Sequence, residues 1–185
     1  VDAPRCSAAA AQTILSQLTS CGMVSDEPVA RQSQRHASYE TALHKLIHMH
    51  AAYACRCSRT DIAKALAADG IALERHRNMP YPGTCRSLKL SLQPGMSVRF
   101  CVPDTALAWQ DQLLGGQLQH VASAVGDFVL KRSDGLWAYQ LAVVVDDADQ
   151  GITHIVRGED LADNTPRQLL LQHALGLPQP VYMHT

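Results

Sequence analysis

Residues 127–168 read DFVLKRSDGLWAYQLAVVVDDADQGITHIVRGEDLADNTPRQ, and this stretch decides the fold. FVLKR and LWAYQ are apolar runs separated by Ser133-Asp134-Gly135, a turn signal. ITHIV then delivers Arg157 directly onto Gly158, with Glu159 and Asp160 behind it. This places a cation and two acids at the carboxyl end of a buried-type strand, the edge where open α/β sheets bind ligands. Asn164 or Thr165 can cap the following helix, with Pro166 in its first turn. Strand, charged loop and capped helix together describe a binding site on an α/β fold.

Working outward, Ser7 to Leu18 reads as a helix capped by Ser7 and closed by Gly22, with Ile14, Leu15 and Leu18 as its apolar face. A second helix spans about His36 to His50, with Tyr39, Ala42, Leu43, Leu46 and Ile47 at helical spacing. Ala52–Cys55 reads as a short strand. Ser58 with Asp61 marks a capped helix to about Ala68, closed by Gly70. Residues 71–95 carry Pro80, Pro82, Gly83 and Pro94 and read as irregular. Ser97–Val102 reads as a strand, and Gly115-Gly116 as a hairpin.

The chain of 185 residues suits one medium domain, or one domain with an insert. A net charge of −1 gives no bulk attraction to nucleic acid, so an RNA partner needs a local basic surface. Arg31, Arg35, Arg56, Arg59, Arg75, Arg77 and Arg86 are candidates for one, or for ordinary solvated surface. No apolar run approaches the 18 or so residues of a membrane span, and no secretory leader is visible. The six cysteines are scattered, which fits a reducing cytoplasm better than a disulfide framework. Cys6, Cys21 and Cys101 fit no ligand spacing and are expected to be buried apolar residues.

Cys55-Arg56-Cys57 followed by Tyr81-Pro-Gly-Thr-Cys85 is a second constellation. Two thiolates at i and i+2 can grip one Zn²⁺, and two later ligands close a tetrahedron. His76 is the chemically ordinary fourth ligand, and three free thiols in a degenerate site is the bland alternative. His44 and His48 share a helix face, but Lys45 beside them repels a cation, so a solvated face is expected.

The run AYQLAVVVDD, with GITHIVRGEDL and NTPRQ, resembles the glutamate branch of class I aminoacyl-tRNA synthetases. The resemblance runs over the whole chain, densest at 127–168 and thinnest at 58–95. Within the branch, Trp137-Ala138-Tyr139 and the lone CxC look most like the short members that attach glutamate to the queuosine base of tRNA(Asp). It implies an α/β fold: a Rossmann-type parallel-sheet core of residues 1–53 and 126–185, with an inserted zinc-binding, acceptor-type subdomain of 54–125. It also implies a helix over about Tyr139–Asp149, although Leu141–Val145 is β-branched and strand-like by propensity.

The resemblance makes Arg157 and Tyr139 contacts of the substrate L-glutamate. Residue chemistry alone leaves Arg157 open between that role and a salt bridge to Asp146, Asp147 or Asp160, and leaves Tyr139 open as a core tyrosine. It puts Asp160 near ATP, and makes Cys55, Cys57, Tyr81 and Cys85 the ligands of a structural zinc. Here 23 residues separate Cys57 from Tyr81, longer than the family's usual spacing. Asp146 and Asp147 read as structural. Asp2 in VDAPR matches an acid of the family's E-D-x-D-x-P-R segment, whose glutamate-binding Glu would precede residue 1. The implied partners are glutamate, ATP with Mg²⁺, and queuosine-bearing tRNA(Asp), for a monomeric enzyme without a membrane anchor. The family's two ATP signatures, a His-x-Gly-His type and a Lys-Met-Ser-Lys-Ser type, are expected outside both ends of this chain. Catalytic groups are therefore unassigned. Rival readings are a truncated discriminating glutamyl-tRNA synthetase and a non-catalytic zinc-binding RNA- or protein-interaction module.

Overall fold

The computed structural model describes residues 6–71 and 79–185. Asp2, Arg75, His76 and Arg77 lie outside the described residues. The helices are α1 (Ala8–Ser20), α2 (His36–His48), α3 (Arg59–Ala68), α4 (Val121–Ala124), α5 (Tyr139–Asp149) and α6 (Thr165–Leu175). The strands are β1 (Ala52–Cys55), β2 (Ser97–Phe100), β3 (Leu107–Asp111), β4 (Gly115–Gln119), β5 (Val129–Lys131), β6 (His154–Arg157) and β7 (Val181–His184).

Two sheets organise them. One is antiparallel, in the order β1-β2-β5; the other is mixed, in the order β4-β3-β7-β6. The expected parallel core is thus mixed among the described residues: β6–β7 and β3–β7 are parallel, while β3–β4 is an antiparallel hairpin. Connection length explains the difference. The short link between Asp111 and Gly115 can only turn β3 back into β4, whereas β6 reaches β7 through the crossover helix α6. Segment 54–125 supplies β2 to the first sheet and β3 and β4 to the second, so it shares both sheets with the flanking segments.

Residues 139–149 are helical despite their valines. Leu141, Ala142, Val144 and Val145 are all buried, in one cluster with Tyr39, Leu43 and Leu46 of α2 and Leu171 and Leu175 of α6. A valine costs a helix under about 0.7 kcal/mol, and burying it gains about 1.5–3 kcal/mol, so packing wins. Asp146 lies on the same helix and is buried with its charge matched. It accepts from Arg35 Nε at 2.5 Å, Gln32 Nε2 at 2.9 Å and the Tyr39 hydroxyl at 2.8 Å. Burial and the Asp146 hydrogen bond push the Tyr39 phenol above its ordinary range.

Local signals are reliable where the chain caps itself. Ser58 and Asp61 form the reciprocal capping box of α3, and Ser7 accepts from the Ala10 amide at 3.1 Å to start α1. Asn164 does not cap α6 with its side chain; its Oδ1 accepts from Gln140 at 2.5 Å and Arg167 at 2.7 Å instead. Among the described residues nothing buries the apolar stripe of α1: Leu15 is half-buried, and Ile14 and Leu18 are exposed. Cys6 and Cys21 are consequently exposed and Cys101 half-buried, against the expectation of three buried cysteines.

Candidate functional site

β6 and β7 run side by side, with Arg157 and His184 as Cα partners. Arg157 Nε donates to His184 Nε2 at 3.0 Å, and Arg157 Nη2 donates to the Thr165 hydroxyl at 2.8 Å. Thr165 is the first residue of α6 and is fully buried. The Nε/Nη2 edge of the guanidinium is thus fixed from inside the fold. The remaining N–H groups sit on Nη1 and the outer side of Nη2, the fork that matches a carboxylate. Among the described residues no carboxylate forms an ion pair with Arg157. The salt bridge weighed for it with Asp146 is excluded, because that acid is paired with Arg35.

Asp147 and Tyr182 complete the surroundings of the guanidinium. Burial raises the Asp147 carboxyl; neighbouring Asp146 adds to this, and Arg157 opposes it. Burial also raises the Tyr182 phenol, against the opposing Gln172 hydrogen bond and the Arg157 charge. The guanidinium carbon lies 5.5 Å from the centre of the Tyr182 ring. Arg157 thus packs against the buried Tyr182, with the charge of Asp147 felt by both. Tyr139 is 40% exposed, which leaves its hydroxyl reachable and disfavours the core-tyrosine alternative. Asp160 is exposed in the 3-10 turn Glu159–Asn164, with its carboxylate folded over Gly158. A Cβ at position 158 would lie 2.5 Å from Asp160 Oδ1.

The second constellation is also brought together. The sulfurs of Cys55, Cys57 and Cys85 lie within 4.8 Å of one another. The Tyr81 hydroxyl is 3.3 Å from Cys55 Sγ and 3.6 Å from Cys57 Sγ, and Cys57 and Cys85 are 3.4 Å apart. A tetrahedral zinc with Zn–S near 2.3 Å needs ligand edges of about 3.5–3.8 Å, close to the three separations just given. The Tyr81 oxygen is aimed by the Cys85 amide, which donates to it at 2.9 Å.

Arg99 balances the charge of such a site. Its Nε lies 3.3 Å from Cys55 Sγ and its guanidinium carbon 3.9 Å over the Tyr81 ring. Burial works against the Cys55 thiolate, yet Tyr81, the Cys57 amide and Arg99 together hold the thiol below its ordinary value. Burial pushes the Cys57 thiol up to about 11. Burial and then the three thiols raise the Tyr81 phenol. Four protein donors would make this zinc structural, with no open position for chemistry.

Two residues lock this knuckle to the sheet. Tyr81 bridges to Gly126 and donates its amide to the Val125 carbonyl at 2.9 Å. Gly126 has φ +69°, and a Cβ there would lie 2.6 Å from the Tyr81 nitrogen, so only glycine lets the two backbones approach. Buried Asp127 follows. It accepts from Arg86 Nε at 2.8 Å, the Tyr53 hydroxyl at 2.5 Å and the Val102 amide at 2.8 Å. Arg86 and Arg35 are thereby paired with Asp127 and Asp146, although Arg86 stays exposed, while Arg31, Arg56 and Arg59 are exposed as well.

Asp111, Thr165, His184, Arg99, Gly126 and Asp127 do not stand out as site residues in the sequence. The one signal is the tyrosine–histidine alternation of Tyr182 and His184, which places both side chains on one strand face.

A mixed α/β sheet with an arginine fork at a strand's carboxyl end and a Cys3Tyr cluster beside it defines the class. Residues 1–185 match the family described as tRNA synthetases class I (E and Q), catalytic domain, and the chain belongs to that family. It is 54% identical to a protein of Leptothrix cholodnii named glutamyl-Q tRNA(Asp) synthetase, over all of this chain and 64% of that protein. A protein of the same name from Albidiferax ferrireducens is 50% identical, again over all of this chain and 67% of the relative. The chain thus spans about 64% of the length of the first of these relatives. Among solved structures it is similar to a glutamate tRNA ligase of Elizabethkingia meningosepticum in complex with its amino acid. That similarity has a TM-score of 0.80 at 25% identity, over 99% of this chain and 40% of that one.

Proposed function

We propose that this chain is the glutamate-holding part of an enzyme that activates L-glutamate with ATP and Mg²⁺ and transfers it to the queuosine base of tRNA(Asp). The observation that carries the reading is the outward fork of Arg157, held at its inner edge by His184 and Thr165. A guanidinium so fixed takes a carboxylate bidentately, with geometry as well as charge. Tyr139 is assigned to hydrogen-bond the same amino acid, and Asp160 to the neighbourhood of ATP. Cys55, Cys57, Tyr81 and Cys85 would hold a structural zinc that keeps the 54–125 segment in place against RNA. Adenylate formation belongs, in this reading, to the whole protein. The names of the relatives at 50–54% identity support the queuosine substrate.

Two experiments test it. Calorimetry of this chain with L-glutamate should show saturable binding that Arg157→Ala abolishes; absence of binding by the intact chain would favour the non-catalytic module. The full-length protein containing this segment should charge queuosine-bearing tRNA(Asp) and not tRNA(Glu). The reverse preference would make it a discriminating glutamyl-tRNA synthetase, the reading favoured by the similarity to glutamate tRNA ligase structures.

A further inference from the structure

We infer that Asp111 and His184 form a buried positioning pair that sets the direction of the Arg157 fork by fixing the tautomer of the histidine. This deepens the glutamate-site reading and rests on it only for its affinity consequences.

His184 and Asp111 are both buried, with 1% and 0% exposure. His184 Nδ1 lies 2.6 Å from Asp111 Oδ2. A carboxylate can only accept, so Nδ1 carries the proton, and the neutral imidazole keeps a lone pair on Nε2. Nε2 is the atom that accepts from Arg157 Nε, which can only donate. The direction of every bond in Asp111–His184–Arg157 is therefore set by its two ends. Tyr182, two residues before His184, lies parallel to the imidazole at 5°, with ring centres 6.2 Å apart.

The other oxygen of Asp111 is fully engaged as well. Asp111 Oδ1 accepts from the backbone amides of Leu113 at 3.0 Å, Leu114 at 2.9 Å and His184 at 3.3 Å. These donors close the β3–β4 turn and clamp β7 beside β3. Burial by itself would raise the carboxyl, but these amides together with the His184 imidazole overcome it and hold the group down at about 2. The consequence for Asp111→Asn is specific. Three amides require an acceptor at the Oδ1 position, so the amide oxygen must stay there. The NH₂ group then faces His184 Nδ1 and donates to it. The proton must move to Nε2, where it opposes the Arg157 Nε–H. An isosteric change 73 residues from His184 in sequence thus turns one hydrogen bond of the arginine into a donor–donor contact.

The test uses this chain labelled with ¹⁵N. Long-range ¹H–¹⁵N correlation reads the His184 tautomer, hydrogen exchange reads the Arg157 Nε–H, and calorimetry reads L-glutamate affinity. The expected result is an Nδ1-protonated His184 in the parent and an Nε2-protonated one in Asp111→Asn. The Arg157 Nε–H should then exchange at least tenfold faster, and glutamate bind at least tenfold more weakly. His184→Gln, whose amide oxygen can stand in for Nε2, should keep affinity within about threefold, and His184→Leu should not. This second pair serves if Asp111→Asn fails to fold. An Nε2-protonated His184 in the parent overturns the inference. So does a flipped tautomer with unchanged Arg157 exchange, or equal affinity of the glutamine and leucine variants. If no protein binds glutamate but tautomer and exchange behave as expected, the glutamate reading fails and the positioning pair stands.

Discussion

Arg157 and His184 face each other across β6 and β7, guanidinium Nε to imidazole Nε2 at 3.0 Å, so that one edge of the arginine is fixed by the fold while Nη1 makes no hydrogen bond among the described residues. A lysine cannot divide itself in this way. Its ammonium is a point charge on a flexible stem, and reaching Thr165 or His184 would take it away from a carboxylate. Arg157→Lys should therefore weaken L-glutamate binding by roughly ten- to a hundredfold, about 1.5–3 kcal/mol, the scale of a charge-assisted hydrogen-bond pair. Calorimetry on the variant checks this; affinity within twofold of the parent would mean that net charge alone recruits the substrate.

Asp111 also makes acid stability predictable. Its carboxyl titrates at about 2 in the fold and at about 3.9 when exposed, so the unfolded chain binds the proton more readily. The stability this group contributes is present above pH about 4 and is lost as pH falls towards 2. Urea unfolding of the parent should show that loss across the window. Asp111→Asn should start less stable and lose less over the same range; parallel curves for the two proteins would assign the acid sensitivity to other carboxylates.

Gly126 marks the point where the cysteine knuckle meets the sheet. Alanine there combines φ +69° with a Cβ 2.6 Å from the Tyr81 nitrogen. Strained backbone costs of order 1–3 kcal/mol, and the close approach adds to it, so Gly126→Ala should destabilise by about 3 kcal/mol or more. Gly135→Ala is a fair control, because φ is +84° there but nothing lies within 4 Å of the added carbon. Similar losses in denaturant midpoint for the two variants would show that only the backbone conformation matters at Gly126.

The same contacts explain which parts of the fold are legible in the sequence. Capping boxes, turn glycines and apolar spacing act over short stretches of chain, so α2, α3, β1 and the β3–β4 hairpin can be read directly. The α5 helix is legible only through family resemblance, because its valines point to a strand and long-range packing overrides them. Tyr139, Arg157 and the cysteine cluster can be named from motifs. Asp111 cannot: it acts on a histidine 73 residues away through a strand pairing that no local pattern encodes. The exposed apolar face of α1 misleads for a related reason, since periodicity reports that a face is apolar and not whether anything described covers it.

The Tyr81 oxygen lies 3.3 and 3.6 Å from two sulfurs and is oriented by the Cys85 amide, a placement that suits a fourth donor for the proposed zinc; His76 lies outside the described residues. The chain should bind one zinc, with X-ray absorption giving three sulfur neighbours near 2.3 Å and one oxygen near 2.0 Å. Tyr81→Phe should keep the three thiolates and lose about tenfold in zinc affinity in a chelator competition, while Cys85→Ser should lose far more. His76→Ala should leave both spectrum and affinity unchanged. A nitrogen neighbour in the spectrum, removed by His76→Ala, would instead make the imidazole the ligand and leave Tyr81 as the packing partner of Arg99.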